Sequence, residues 1–263
     1  MRRELEYLFA ALRFFTRLPV PVWVGHSAEQ LNHAARYFPL VGVIVGAIGA
    51  GVTLAATSVW PMSIAVLLGM AATLLATGAF HEDGLADSVD GFGGGWTRDD
   101  VLSIMKDSRI GSYGAIGIGI ALLTKYEALA NLGGVFPRGF PPVTPWLTLA
   151  ATIVAGHSVS RFASTTLLYA LDYARDDDSA KSKPLATRMG RGELAVAALS
   201  GLAPCALLPW PRAALALVLV AVVTWLAARY FVKRIGGYTG DCLGATQQLT
   251  EIAFYLGLLC SFT

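Results

Sequence analysis

The run His81-Glu82-Asp83-Gly84-Leu85-Ala86-Asp87-Ser88-Val89-Asp90-Gly91 places four carboxylates within nine residues, directly after a long apolar stretch. On a helix at 100° per residue, Asp83, Asp87 and Asp90 point within about 60° of one another. Three like charges on one face repel. A hard divalent cation with oxygen ligands is the natural counter-charge, and Mg²⁺ commonly takes a few carboxylates together with substrate phosphate oxygens. Glu82 points off that face on an ideal helix. It joins the set only through a bend at Gly84 or by holding a second ion. His81 reads as a supporting residue rather than a ligand. The plain alternative is a solvated acidic helix end, which a chain so poor in charge makes the weaker reading.

Three further groups carry phosphate-binding chemistry. Lys106-Asp107-Ser108-Arg109-Ile110-Gly111-Ser112-Tyr113-Gly114 offers two cations, hydroxyls that include Ser112, and glycines at the start of a helical stretch. Backbone N–H groups at a helix start bind anions. Lys106 and Arg109 are the candidate phosphate ligands. Ordinary snorkelling cations at a membrane edge would look similar. Gly93-Gly94-Gly95, between the two groups, suggests a mobile loop. The third group is Gly236-Gly237-Tyr238-Thr239-Gly240-Asp241-Cys242-Leu243-Gly244-Ala245 followed by Gln248 and Glu251. Asp241 and Gln248 share a helical face, so Asp241 is a further metal-side carboxylate beside an anion-cradling turn that includes Thr239. The fourth is His157 and Arg161, four residues apart. An ionisable residue at membrane depth faces the interior and is functional by default. Arg161 is assigned to substrate phosphate, the alternative being a structural pair with an acid such as Glu127.

The elements that position these groups are helices in lipid. Apolar residues make up 55% of the chain and charged residues 14%. About 20 apolar residues cross a bilayer as a helix. Seven stretches qualify: 38–60, 62–80, 110–132, 144–168, 194–210, 213–231 and 245–262. The expected fold is all-α, one integral membrane domain over 1–263, a polytopic bundle of about seven transmembrane helices. An amphipathic N-terminal helix precedes it. Leu5, Leu8, Phe9, Leu12 and Phe15 form its apolar stripe, which lies in the membrane interface or packs on the bundle. The segment at 194–210, short and interrupted by Pro204, and the last one are the least secure spans.

Lys and Arg set the orientation. With the N-terminus inside, the inner segments hold Arg2, Arg3, Arg13, Arg17 and Arg36, then Arg98, Lys106 and Arg109, then Arg175, Lys181, Lys183, Arg188 and Arg191, then Arg229, Lys233 and Arg234. The outer turns hold only Arg138 and Arg212. All the polar groups above therefore fall on the cytoplasmic side, with access to cytosolic nucleotides and Mg²⁺. Asp176-Asp177-Asp178 reads as a solvated inner loop. A net charge of +2 gives no reason to expect nucleic acid. No cleavable leader is recognisable. Three scattered cysteines without a CxxC pair disfavour zinc and a disulfide framework.

HEDGLADSVDG at 81–91, MKDSRIGSYG at 105–114 and GYTGDCLG at 237–244 together resemble the cobalamin synthase family, the adenosylcobinamide-GDP ribazoletransferases. The resemblance runs over nearly the whole chain and includes Arg161. Relatives commonly carry a Pro-Tyr-Ala-Arg run where this chain has Asp172-Tyr173-Ala174-Arg175; Arg175 itself matches. Ser88 stands where Thr is frequent. The resemblance implies transfer of α-ribazole, or its 5′-phosphate, to adenosylcobinamide-GDP, giving adenosylcobalamin or its phosphate and GMP, with Mg²⁺. It implies catalytic roles for Asp83, Asp87, Lys106 and Arg109. Substrate would be bound by Arg161, Ser112, Arg175, Thr239 and Gln248, and metal by Glu82, Asp83, Asp87, Asp90 and Asp241. It also implies a prokaryotic cytoplasmic (inner) membrane, contact with membrane lipid, and room for a homo-oligomer or association with other corrinoid-pathway enzymes. Two other readings share some features. A CDP-alcohol-type phosphotransferase also sets aspartates on a helix at the cytosolic edge, but its Asp-Gly followed by Ala-Arg is broken here by Asp87 after Ala86. A divalent-cation transporter would want its acids near the bilayer midplane.

Overall fold

The computed structural model describes residues 2–25, 27–135, 145–175, 186 and 189–260. Among them the chain is all-helical, with one isolated bridge between Tyr173 and Tyr238. Helix α1 (Arg2–Phe15) is followed by α2 (Ala28–Ala34), which passes through a 3₁₀ turn into α3 (Phe38–Ala56). Then come α4 (Met62–Thr77), α5 (Phe80–Gly94), α6 (Arg98–Ile104), α7 (Ser112–Val135), α8 (Pro145–Ala170), α9 (Arg191–Leu202), α10 (Trp210–Ile235) and α11 (Gly240–Leu259).

Three helical stretches are long and apolar enough to span a membrane: 28–56, 112–133 and 210–235. The bent pair α4 and α5 makes a fourth if taken as one broken span. The expected count of seven is not confirmed, and the reasons are physical. At 1.5 Å per residue α9 is about 18 Å long, short of the roughly 30 Å apolar layer. It ends in a 3₁₀ turn, Ala203–Leu207, that begins around Pro204. Helices α8 and α11 are long but carry polar side chains, including Arg161, Gln247, Gln248 and Glu251, all buried. They form the centre of the bundle: α8 packs on α3 and α11, and α11 packs also on α5, α7 and α10. The outer helices take the apolar exposure, with Val218, Val222, Trp225 and Leu226 of α10 and Ile116, Ile120 and Leu123 of α7 open at the surface.

Helix α1 packs on the bundle. Its stripe ends in Phe15, whose ring sits edge-on to Phe38 and Phe80 and stacks on His81 at 5.1 Å. At the other end, α4 stops at Gly78, where φ is +66°, and Ala79 is also left-handed at +58°. Two consecutive left-handed residues cannot continue a helix, and the chain turns by 87° into α5. The bend sets α5, with its four carboxylates, across the end of α4 rather than in line with it. The acidic loop at Asp176, Asp177 and Asp178 lies outside the described residues, as do Arg138, Lys181, Lys183 and Arg188.

Candidate active site

The site is built where α5 crosses α11. A Cβ on Gly84 would stand 3.1 Å from Asp241 O and 3.3 Å from Gly244 Cα, and one on Gly244 would stand 3.1 Å from His81 O. The two backbones touch only because both positions are glycine. This contact brings the acidic face of α5 against the first turn of α11. Asp83 is exposed, Asp87 half-buried. Burial, followed by the charges of Asp241, Asp83 and Asp90, pushes the Asp87 carboxyl up to about 7, with Arg175 opposing. Asp241 is likewise raised by burial, against the pull of Arg175. Arg175 Nη2 lies 2.8 Å from Asp241 Oδ2. Three of the expected metal carboxylates, Asp83, Asp87 and Asp241, thus share one field, with the Arg175 guanidinium beside them.

The other two behave differently. Asp90 is buried and faces α7: its Oδ2 accepts from Gly111 N–H at 2.7 Å and its Oδ1 from Gly114 N–H at 2.8 Å. A Cβ at Gly111 would fall 2.5 Å from Asp90 Oδ1. The glycines of the 105–114 motif therefore admit a carboxylate from the protein, and the N–H groups expected to cradle a phosphate are taken by Asp90. Glu82 is buried against α11, accepting from Gln248 Nε2 at 2.8 Å. Among the described residues no three carboxylate, histidine or cysteine side chains converge as a ready metal cage. The carboxylates suit an ion completed by substrate oxygens and water, the usual habit of Mg²⁺.

The segment after α8 is fixed beside the cluster by the 237–244 motif. Tyr238 N–H donates to Asp172 O at 3.0 Å, and Ala174 N–H to Tyr238 O at 2.8 Å. A side chain at Gly237 would collide with Asp172 O. Thr239 is fully buried and caps α11, accepting from Cys242 N–H at 3.3 Å. Its hydroxyl is committed to the fold rather than presented to a substrate. Arg98 ties α6 to this corner, donating to Ala174 O at 2.6 Å and Ile235 O at 3.1 Å. Between them runs an open groove of about 450 Å³ lined by Arg98, Asp99, Ser103, Lys106 and Arg175 among others. Arg175, the partner of Asp241, lines it together with Lys106.

The remaining expected residues separate. Arg109 is 87% exposed and forks onto Asp107 at 2.7 Å, which holds the Asp107 carboxyl down at about 2. Ser112 is exposed at the start of α7. Gly93 and Gly94 close α5 helically rather than forming a loop, and Gly93 makes room for the Tyr113 ring, 2.8 Å from where a Cβ would stand. Arg161 is buried in α8, donating to His157 O at 2.9 Å, and Glu127 is exposed, so the two do not pair. Gln248 is buried and accepts from Lys125 Nζ at 2.6 Å. Sequence reading missed that Glu82, Lys125, Gln247, Gln248 and Glu251 form one network. The signal was present: two glutamines and a glutamate within five residues of a largely apolar helix, with a lone lysine in another.

A family model described as cobalamin-5-phosphate synthase matches residues 7–259. The adenosylcobinamide-GDP ribazoletransferase of Shewanella frigidimarina is 46% identical over 98% of this chain and 95% of its own length. Those of Shewanella amazonensis and Shewanella pealeana are 46% and 43% identical over 98% of the chain and 96% of their lengths. No solved structure matches. Neither the lipid-making phosphotransferase nor the transporter finds support in these relatives. The chain belongs to the cobalamin-5-phosphate synthase family.

Proposed function

We propose that this chain joins ribazole, or its 5′-phosphate, to adenosylcobinamide-GDP, forming adenosylcobalamin or its phosphate and releasing GMP. The observation that carries the assignment to this site is the α5–α11 crossing, which sets Asp83 and Asp87 in one field with the Asp241–Arg175 pair, where Arg175 also lines a groove with Arg98 and Lys106. A ribose hydroxyl oxygen bonds to the phosphorus attached to the cobinamide side. The bond from that phosphorus to the GMP oxygen breaks, and the hydroxyl proton passes to a carboxylate of the cluster. Such a displacement is driven by positioning and by neutralising charge. Lys106 and Arg175 hold the phosphates along the groove, and Arg109 reaches them from the rim once released from Asp107. Mg²⁺, held by Asp83, Asp87 and Asp241, would neutralise the phosphate oxygens and lower the repulsion among the carboxylates. Asp90 and Glu82 hold the helix that carries those ligands.

The Lys and Arg distribution supports a site facing the cytoplasm across a prokaryotic inner membrane. The test is purified protein in lipid nanodiscs with adenosylcobinamide-GDP, α-ribazole and Mg²⁺. GMP and a new corrinoid product should appear in equal amounts and stop on adding chelator. Consumption of neither substrate, with divalent-ion flux in liposomes instead, would replace this reading by the transporter.

A further inference from the structure

Beneath the first turn of α5 lies a closed polar network contributed by α5, α7, α8 and α11. Lys125 Nζ donates to Gln248 Oε1 at 2.6 Å and stands 3.3 Å from Glu251 Oε2. The Lys125 and Glu251 side chains are 5% and 1% exposed. Gln248 Nε2 donates to Glu82 Oε1 at 2.8 Å. Gln247 Nε2 donates to Glu251 Oε2 at 2.7 Å and to Ser160 Oγ at 2.9 Å. Tyr255 donates its hydroxyl to Glu251 Oε1 at 3.1 Å. Arg161 lies within electrostatic reach of both Glu251 and Glu82. Two carboxylates are thus balanced by two cations.

Stability alone is a poor account of this arrangement. A buried ion pair gives back little more than its desolvation cost, and an apolar pair of the same volume commonly serves as well. The network's geometry has a different consequence. It ends on Glu82, the residue before Asp83. Among the described residues the second oxygen of Glu82, Oε2, is buried without a hydrogen-bond partner, and the Gln248 bond orients this carboxylate. On an ideal helix, Asp83 and Asp87 lie 100° and 140° around from Glu82. Pinning Glu82 inward therefore sets the rotation of α5 about its axis. A carboxylate about 6 Å from the axis moves roughly 3 Å when the helix rotates 30°. That is enough to take Asp83 and Asp87 out of register with Asp241.

We propose that Lys125 and Glu251 are positioning residues. Through Gln248 they hold Glu82, and with it the first turn of α5, so that Asp83 and Asp87 face Asp241. The kinetic consequence rests on the transferase reading above. The consequence for metal binding does not.

The test uses Gln248→Met, which matches the glutamine in length, cuts the link, and leaves the Lys125–Glu251 pair in place. In nanodiscs its yield and melting temperature should stay near wild type. Its kcat for GMP release should fall about tenfold or more, since misplacement near 1 Å already costs about a hundredfold, with the KM for adenosylcobinamide-GDP within about threefold. Mn²⁺ titration of the substrate-free protein, followed by electron paramagnetic resonance, should show binding weakened at least about threefold, because the carboxylates no longer converge. A second variant, Lys125→Arg, keeps the charge but puts a longer planar fork where a compact ammonium meets both Gln248 and Glu251, so it disturbs that geometry. It should show the same split, and it decides the matter if Gln248→Met does not fold. Either folded variant with wild-type kcat and wild-type Mn²⁺ affinity overturns the proposal and leaves the network structural. If the wild type releases no GMP, the transferase reading falls and the Mn²⁺ comparison alone judges the positioning.

Discussion

The Asp87 carboxyl makes metal affinity dependent on pH in a calculable way. Burial and then the charges of Asp241, Asp83 and Asp90 raise it to about 7 in the metal-free protein. A metal takes the carboxylate and not the acid, so protons compete with Mg²⁺. For one competing group with that pKa, apparent affinity is about elevenfold weaker at pH 6, about twofold weaker at pH 7, and nearly full at pH 8. The sign of the stability effect follows from the same shift. A carboxyl whose folded pKa lies above its unfolded value, about 3.9, stabilises the fold below that value and loses the contribution as pH rises through about 7. Mg²⁺ should therefore raise the melting temperature more at pH 8 than at pH 6. Isothermal titration of Mg²⁺ into the substrate-free protein at pH 6, 7 and 8 measures the first effect, and a thermal melt with and without Mg²⁺ the second. Asp87→Asn, which cannot titrate, should bind more weakly and with a flatter pH profile. Equal Mg²⁺ affinity at pH 6 and pH 8 in the wild type would refute the reasoning, because it would remove Asp87 from the metal's ligands or from the repulsion that raises it.

The α5–α11 contact leaves no room for a side chain, so Gly84→Leu should part the helices, lower stability by about 1–3 kcal/mol and cut GMP release about a hundredfold; denaturant melts and initial rates check both. Asp90→Ala strips two N–H groups at the start of α7 of their acceptor and should cost about 1–2 kcal/mol in a denaturant melt while leaving Mg²⁺ affinity within a few-fold. Cysteines at Trp96 and Trp60, both exposed, should be labelled by an impermeant reagent only from the cytoplasmic side and only from outside, respectively. Labelling of both from one side would break the orientation.

Much of the site could be read from the chain because its parts are local. The acidic face of α5 follows from the spacing of Asp83, Asp87 and Asp90, and the helix start at Ser112 from the glycines before it. The turn between α4 and α5 was not legible. Gly78 suggests a break, but nothing marks Ala79 as left-handed, and without it an 87° bend looks like a continuous helix. The count of seven spans is not confirmed, for a related reason. Hydropathy registers how apolar a helix is, whereas α8 and α11 are shielded from lipid by their neighbours and so tolerate Arg161 and Glu251. The partners of Asp90 and Glu82 were out of reach for a third reason. The spacing puts Asp90 on the face of Asp83 and Asp87 and turns Glu82 away from it, but it does not reveal that Asp90 accepts from Gly111 and Gly114 and Glu82 from Gln248, far along the chain. Spacing along one helix says which residues share a face but not what the face meets.

In the proposed reaction Asp87 is a ligand of the ion that neutralises the phosphates. Replacing a carboxylate with a thiolate changes which metals a site accepts, from hard Mg²⁺ toward softer Cd²⁺. The direct measurement is GMP release by purified Asp87→Cys protein with adenosylcobinamide-GDP and α-ribazole, supplied with Mg²⁺ or with Cd²⁺ in turn. Turnover should be near zero with Mg²⁺ and recover with Cd²⁺, while the wild type prefers Mg²⁺. Turnover of Asp87→Cys with Mg²⁺ at the wild-type rate would contradict that role.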